Sequence, residues 1–219
     1  MNGQPRQVIQ NQPGLLDEQL AEPINLLPTD GLALYFGKIL SPQQSSSYLQ
    51  SLRQRSDWKN DRLVIYGRTI TTRRQIAWYG DNPYTYSYSG NTHRALSWHE
   101  EPRYDELLTL RELIQQQTRT RFNSCLLNLY HDGSEGMSWH SDDEPELKPN
   151  GTIASLSLGS PRKFAFRHKK TRQIISVVLE PGSLLVMKGS TQRYWQHCLR
   201  TSKKITEPRI NLTFRQFVR

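Results

Sequence analysis

The sequence predicts a single α+β domain in which two helices precede and support a β-sandwich or barrel. Apolar residues recur with helical spacing in two stretches before residue 120, whereas the chain after Arg121 consists of short β-branched or aromatic segments. Glycine, proline, asparagine or serine separates these segments, as is typical of closely spaced strands. A chain of 219 residues is long enough for one such domain.

Two helices are predicted from caps and periodicity. Ser41 is a suitable N-cap and Pro42 a suitable first residue for a helix that ends near Arg55. The apolar face of this helix carries Tyr48, Leu49 and Leu52. A second helix is predicted over residues 102–118, with a broad apolar side formed by Leu107, Leu108, Leu110, Leu113 and Ile114.

Eight segments are predicted to be strands. Two of them lie between the helices and carry tyrosines that we expect to be exposed on hairpins, at 63–70 and 84–90. Six follow Arg121, at 124–130, 152–158, 163–168, 174–179, 183–188 and 209–218.

The first 35 residues differ from the rest in composition. They are rich in glutamine, proline and asparagine, and their short apolar pairs show no sustained period. One arginine stands against four carboxylates here, so this segment carries −3 and the remainder +12. We therefore predict a flexible arm over 1–35, with one docked segment around Leu26 and Leu27, and a folded domain over 36–219.

Charge and composition exclude several classes of protein. Twenty-nine Lys+Arg against 20 Asp+Glu give +9 and a pI of about 9.7, which suits a polyanionic partner such as nucleic acid. No apolar run is long enough to cross a bilayer, and the N-terminus lacks the apolar core of a signal peptide. Two cysteines, Cys125 and Cys198, cannot form a disulfide framework or a zinc cluster. We expect an intracellular monomer, cytoplasmic if bacterial and nuclear if eukaryotic.

His140 and Asp142 form an H-x-D pair in a segment that reads as extended. Residues i and i+2 of an extended chain point to the same side, so the imidazole and the carboxylate would project together. They supply two thirds of the 2-His-1-carboxylate triad that binds Fe(II) with three open positions, and His197 is the obvious third ligand. An H-x-D pair alone occurs by chance in many chains, so a surface histidine beside an acidic run is the alternative.

The segment 209–215 alternates strictly between polar and apolar residues. Arg209, Asn211 and Arg215 fall on its polar face, and two guanidiniums bracketing an amide suit a small dianion. A half-buried strand with a solvated polar face is the alternative. Asn128 and Tyr130 likewise lie two apart on a leucine-rich strand, either in the same pocket or as ordinary packing at a core margin.

Several motifs that follow one another in a fixed order resemble the AlkB family of Fe(II)- and 2-oxoglutarate-dependent dioxygenases, in particular its DNA-repair branch. The resemblance extends from about residue 60 to the end. Its motifs are Asn128-Leu129-Tyr130-His131-Asp132-Gly133, His140-Ser141-Asp142-Asp143-Glu144, Ile153 to Gly159, Phe164 to Lys169, Gly182 to Leu185, His197, and Arg209 to Arg215. Such a series is far more specific than any one motif.

The resemblance implies a double-stranded β-helix (jelly-roll) core, with the N-terminal helices buttressing it and hairpins binding the substrate. It implies that His140, Asp142 and His197 hold Fe(II), and that His131 is not a ligand. The 2-oxoglutarate co-substrate would be held by Arg209 and Arg215, assisted by Asn128, Tyr130 and Asn211. With O₂, the reaction would release succinate, CO₂ and formaldehyde and restore the unmodified base.

The resemblance also suggests where a base would bind. Tyr88 would stack on it opposite His140 with Tyr86 as a neighbour, Glu144 would read its exocyclic edge, and Tyr66 would fill the gap it leaves. Ordinary cross-strand packing is the alternative for each tyrosine.

Basic residues are the candidates for phosphate contacts. Arg73 and Arg74 lie near the first hairpin, and Lys169 and Lys170 belong to a basic segment at 162–172. A solvated basic turn is the alternative.

Three functions are compatible with these observations. The first is oxidative demethylation of 1-methyladenine or 3-methylcytosine in single- or double-stranded DNA, with RNA as a further substrate. The second is an oxygenase of the same fold that acts on RNA or protein. The third is a basic jelly roll that binds nucleic acid without catalysis, for which an iron triad together with a dianion clamp would be superfluous.

Overall fold

The structure is a computed structural model that describes residues 22–65, 68–88, 91–99 and 105–218. Its helices are α1 (Pro42–Arg55), α2 (Asp105–Thr118) and α3 (Thr191–Tyr194). The strands before α2 are β1 (Ile24–Asn25), β2 (Leu32–Lys38), β3 (Lys59–Ile65), β4 (Arg68–Gly80), β5 (Thr85–Tyr88), β6 (Asn91–Arg94) and β7 (Leu96–Ser97). Those after it are β8 (Ser124–Tyr130), β9 (Met137–His140), β10 (Ile153–Gly159), β11 (Arg162–His168), β12 (Ile174–Leu179), β13 (Ser183–Lys188), β14 (Trp195–Leu199) and β15 (Arg209–Arg215).

Two sheets and a hairpin organise the described residues. The larger sheet has the order β1-β2-β13-β10-β15-β8-β4-β3, with β7 added in parallel to β4. The smaller sheet has the order β12-β11-β14-β9, and β5 pairs with β6. Neighbours in the larger sheet such as β10 and β15 lie far apart in sequence, so long-range pairing brings together the segments that carry the site.

The centre of the larger sheet is buried on both faces. One face packs on the helices through a core that includes Leu52 and Leu110, and the alternating residues Ile210, Leu212 and Phe214 point into it. The opposite face meets the smaller sheet in a second core that contains Leu185, Phe166 and Trp195. Polar residues of β15 therefore lie between the sheets, and the alternative of a solvated polar face is wrong because all seven residues of β15 are buried.

The two predicted helices are confirmed. Ser41 caps α1 by accepting from the Gln44 amide, and the Gln44 side chain accepts in return from the Ser41 amide, which completes a capping box. The described part of the second helix begins at Asp105 and buries Leu107, Leu110 and Ile114 as its apolar side predicts.

The composition boundary at residue 35 does not coincide with a structural boundary. Among the described residues of the predicted arm, β1 and the first part of β2 join the larger sheet, and Leu27 is buried. The docked segment around Leu27 is thus part of the sheet, because β2 pairs with β13 and short apolar pairs suffice for an edge. Residues 1–21 lie outside the described part of the chain.

Sequence patterns also missed six strands: β1, β2, β6, β7, β9 and β14. All six are short or mixed in polarity, and β2, β9 and β14 are held by neighbours distant in the chain. Over the residues that the structure describes, no helix has the length and apolar character needed to span a membrane.

Candidate active site

An irregular pairing between β9 and β14 brings two histidine rings into edge-to-face contact, with 4.2 Å between their centroids. Met137 pairs with Leu199 and His140 with His197, so three steps along β9 match two along β14. Such a β-bulge re-aims side chains, and it allows Met137 and His140 to point to the same side although they are three residues apart. Both histidines consequently face the space between the sheets.

His140, Asp142 and His197 form a compact cluster. Their ligand atoms all lie within 4.8 Å of one another. Oδ1 of Asp142 is 3.6 Å from Nε2 of His140 and 3.9 Å from Nε2 of His197. Two imidazole nitrogens and one carboxylate oxygen on one side of a cavity are the donor set that suits Fe(II), so the residues present fit this metal.

Electrostatics keep Asp142 and His197 in their ligating forms. Burial raises the pKa of Asp142, but the Arg215 guanidinium at 2.9 Å and the two imidazoles outweigh it and hold this pKa well below its usual value. Burial, with a contribution from His140, lowers the pKa of His197 to about 3, so its imidazole is neutral. Metal ligation requires an ionised carboxylate and neutral imidazoles.

Neighbouring groups fix the orientation of the cluster. Nδ1 of His140 donates to the Ser138 carbonyl at 2.8 Å, which leaves Nε2 with its lone pair towards Asp142. The Asp142 amide donates to Oε1 of Gln192 at 2.9 Å. Phe164 stacks on the His197 ring with 5.4 Å between centroids. The triad is therefore held by backbone, amide and aromatic contacts together.

Arg209 is a buried cation beside the triad. It is 2% exposed, and its NH2 donates to Oγ of Ser157 and Oδ1 of Asn211. Its Nε has no hydrogen-bond partner, and no carboxylate lies within 4 Å of it among the described residues. Burial lowers its pKa to about 10, so it remains charged at neutral pH. A buried guanidinium with an unused donor fits the carboxylate of an acid such as 2-oxoglutarate.

One cavity contains the triad and all five residues predicted to hold the co-substrate. Its polar lining includes Asn128, Tyr130, Ser155, Arg209, Asn211, Thr213 and Arg215. Sheet register explains this, since Tyr130 pairs with Arg209 and Asn128 with Asn211 across β8 and β15. The two arginines have different partners: Arg215 contacts Asp142, whereas Arg209 lies under the Tyr130 ring.

A second chamber adjoins His140 on the side of the β3–β4 hairpin. Asp61, Arg74, Asn128, Met137 and Glu144 contribute to its lining. Arg74 is buried, forms an ion pair with Asp61 and donates to Oδ1 of Asn128 at 3.1 Å. The predicted surface contact of Arg74 with phosphate is wrong, because alternation along β4 turns this side chain inwards and Asp61 neutralises it.

The other predicted substrate contacts lie around this chamber or outside the described residues. Glu144 lines the chamber, and its buried Oε2 has no hydrogen-bond partner. Burial and the nearby Asp142 raise the pKa of Glu144. Tyr86 and Tyr88 lie on β5, where the description is limited to the backbone, and Tyr66 lies outside the described residues.

The predicted basic surface is smaller than its sequence suggests. Arg73 is exposed but faces Asp132 at 3.4 Å and Glu135 at 3.6 Å. Arg162 is buried and donates to backbone carbonyls, and Arg167 stacks on Trp139. Lys169 and Lys170 are exposed, as predicted. His131 pairs with Glu135 and lies outside the triad, as predicted.

Four residues of the site went unnoticed in the sequence. Ser155 and Ser157 lie two apart on a strand of leucines, the same signal that drew attention to Asn128 and Tyr130. Asp61 and Gln192 have no comparable pattern, because each acts on a partner distant in the chain.

Comparisons with known proteins agree with this geometry. The sequence profile of the 2OG-Fe(II) oxygenase superfamily matches residues 32–215. Alpha-ketoglutarate-dependent dioxygenase alkB homolog 3 of Homo sapiens is 36% identical over 225 residues, which cover 97% of this chain and 76% of the human protein. DNA oxidative demethylase ALKBH2 of Arabidopsis thaliana is 32% identical over 209 residues, or 83% of this chain and 65% of that protein.

Other matches are shorter. The bovine alkB homolog 3 is 42% identical over 118 residues, which represent 50% of this chain. The aligned part spans 41% of the length of the bovine protein and 41% of its mouse counterpart.

Solved structures show the same fold at lower identity. OsALKBH1 superposes with a TM-score of 0.55 at 19% identity, over 89% of this chain and 100% of that chain. A prolyl hydroxylase of Trichoplax adhaerens superposes with a TM-score of 0.58 at 15% identity, over 86% and 84% of the two chains. The predicted jelly-roll core is thereby confirmed. With the triad, the matched profile and the relatives in agreement, this chain belongs to the 2OG-Fe(II) oxygenase superfamily and, within it, to the alkB homologues.

Proposed function

We propose that this protein removes methyl groups from the ring nitrogens of bases in DNA by Fe(II)/2-oxoglutarate/O₂ chemistry. The observation that carries the proposal is the shared cavity, in which the His140–Asp142–His197 cluster lies beside the buried Arg209. Among the described residues, Arg209 has no carboxylate within 4 Å. The relatives named as DNA oxidative demethylases support the choice of substrate.

Each residue of the cavity has a defined task in this proposal. His140, Asp142 and His197 would hold the metal, and Arg209 would bind one carboxylate of 2-oxoglutarate. When bound, the metal and co-substrate supply the activation of O₂ that oxidises an N-methyl group. Arg215 keeps Asp142 ionised and oriented through its 2.9 Å contact, and it adds positive charge to the co-substrate side of the cavity. Asp142, His197, Arg209 and Arg215 are buried between the sheets, whereas His140 is partly exposed.

The second chamber is our candidate for the modified base. A base must leave its stack before such chemistry can reach it. His140 forms one wall, and Glu144 offers a carboxyl oxygen without a partner to an exocyclic amine. Tyr88, Tyr86 and Tyr66 remain our candidates for stacking and for filling the vacated position.

The substrate determines where we expect the protein to act. Because the proposed partner is genomic nucleic acid, we propose an intracellular role, in the nucleus of a eukaryote or the cytoplasm of a bacterium. A monomer would be sufficient, since the described chain by itself contributes every residue of the triad.

Turnover assays distinguish this proposal from the second candidate, a same-fold oxygenase for RNA or protein. The protein would be incubated in air with Fe(II), ascorbate, 2-oxoglutarate and oligonucleotides carrying 1-methyladenine or 3-methylcytosine. We expect formaldehyde and succinate in equal amounts with loss of the methyl mark from DNA. Demethylation confined to RNA would support the second candidate, and the absence of both products from every oligonucleotide would contradict the proposal.

Phosphate contacts of the exposed lysines give a separate prediction. Replacing Lys169 and Lys170 by alanine should make the log–log salt slope of single-strand binding shallower by about 1.4, since each phosphate contact contributes about 0.7. The salt slope is measured by fluorescence anisotropy at several salt concentrations between about 50 and 300 mM. An unchanged salt slope would show that the phosphates do not contact Lys169 and Lys170.

A further inference from the structure

Two adjoining cavities lie between the triad and the C-terminal end of α2, and together they are called the groove. The inner cavity is bounded by residues 142–153 and 189–193 and reaches Asp142 and Arg215. The outer cavity lies at the C-terminal end of α2 and is bounded by residues 119–123 and 216–218. Lys148 and Gln216 line both cavities, so the two cavities adjoin at these residues.

The junction between the two cavities is held by backbone pairing. The Lys148 amide donates to the Gln216 carbonyl at 2.8 Å, and the Val218 amide donates to the Glu146 carbonyl at 2.9 Å. These hydrogen bonds fix the position of Lys148 on the wall while its side chain remains exposed. The Lys148 ammonium group is therefore attached to a backbone segment that these hydrogen bonds hold in place.

The groove has an excess of available cations. Arg119, Arg121, Lys148 and Arg193 are all exposed, and no carboxylate of a described residue lies within 4 Å of them. The acids of the outer cavity are already engaged: Asp81 accepts from Arg111 at 2.8 Å, and Glu112 accepts from two glutamine amides of its own helix. In the inner cavity Asp142 pairs with Arg215 and Asp143 lies 3.9 Å from Lys169, so Glu144 is the acid left to balance Arg193. Among the described residues, the unpaired charge is therefore positive at the junction and at the outer end.

We propose that this groove, from Arg193 through Lys148 to Arg119 and Arg121, binds the phosphates of the single strand that continues from the modified base. The inference rests on the proposed function, because the base chamber supplies the starting point of that strand. Flexible single-stranded nucleic acid can bend from the chamber into a groove, whereas duplex DNA is stiff over about 50 nm. A partner with closely spaced phosphates matches a line of unpaired cations.

The test compares strands that extend in one direction. Two 12-nucleotide DNAs carry 3-methylcytosine as the second residue from the 5′ end or from the 3′ end, and a tetranucleotide carries it centrally. Binding of the full chain is measured by anisotropy for the wild type, Lys148→Ala and Arg119→Ala/Arg121→Ala. Arg53→Ala/Arg55→Ala on α1 is the charge-matched control, because both arginines are exposed and neither lines the groove.

We expect Arg119→Ala/Arg121→Ala to lose about tenfold or more in affinity for one of the two 12-mers. The salt slope of this variant should become shallower by about 1.4. Lys148→Ala should weaken the same 12-mer, and the other 12-mer and the tetranucleotide should change less than about twofold, since they contact fewer of these cations. The control should match the wild type. Circular dichroism and thermal unfolding verify that each variant is folded.

Two results would overturn the proposal. One is an equal response of all three oligonucleotides, and the other is unchanged binding of both 12-mers by folded groove variants. Poly-glutamate binding that is lost in Arg119→Ala/Arg121→Ala, while DNA binding by this variant is unchanged, would assign the groove to an acidic protein instead. All of these measurements report binding and need no turnover. If the wild type does not demethylate DNA, the proposed function fails, but the binding results still test the groove.

Discussion

Replacing His140 or Asp142 by alanine is expected to reduce formaldehyde release by about a thousandfold or more. Each change removes one of three metal donors, and a catalytic metal contributes several kcal/mol to the stabilisation of the transition state. Affinity for a methylated oligonucleotide should fall far less than activity, because neither residue belongs to the exposed basic surface that would contact the phosphates. Formaldehyde release and anisotropy measure the two properties independently.

His131→Gln is the matched control for this experiment. His131 lies nine positions before His140 but pairs with Glu135 outside the triad, so its substitution should preserve turnover. Iron titration of each variant, followed by the quenching of tryptophan fluorescence, should show weaker binding only for the triad variants. Formaldehyde release that survives Asp142→Ala would refute the assignment of the metal donors.

Arg209→Met is expected to raise the KM for 2-oxoglutarate by about a hundredfold, with a smaller effect on kcat at saturation. Truncation of one partner of a buried, hydrogen-bonded charge pair costs roughly 2–5 kcal/mol, which corresponds to a factor of about 30 to several thousand. The guanidinium is 2% exposed and has an unused Nε donor, so water cannot replace it readily. Succinate release as a function of 2-oxoglutarate concentration gives both constants.

The neighbouring Arg162 provides a stringent control. It is as deeply buried as Arg209 and also lies near the Tyr130 ring, but it donates to the carbonyls of Glu135 and Arg200 and does not line the cavity. Arg162→Met should lower the unfolding temperature without changing the KM for 2-oxoglutarate. A comparable rise in KM in both variants would show that lost stability, rather than a lost carboxylate contact, explains the effect of Arg209→Met.

Local patterns predicted most of the secondary structure. The cap at Ser41, the apolar side of α2 and the apolar runs of β12 and β13 are signals that act between near neighbours. Strands β9 and β14 gave no such signal, because β9 is four residues long and β14 alternates only weakly. Their extended form depends on pairing with each other and with β11.

The residues of the site likewise fall into those that local patterns predicted and those whose contacts depend on the fold. Asn128, Arg209, Asn211 and Arg215 were predicted because two-residue spacing on a strand places polar groups on one face, a property of the local backbone. The roles of Arg74 and Arg162 could not be predicted, since a basic residue in sequence has the same appearance whether it meets solvent, an aspartate or a carbonyl. Burial decided between these possibilities.

Residue types and their spacing predicted the chemical groups of this protein: two histidines and one aspartate for a metal, an arginine strand for a dianion, and a basic body for a polyanion. Which of these groups meet depends on the fold. The β9 bulge turns His140 towards His197, the pairing of β8 with β15 places Asn128 beside Asn211, and Asp61 withdraws Arg74 from the basic surface. The physical reason is that contacts between distant segments depend on sheet register, which local sequence leaves open.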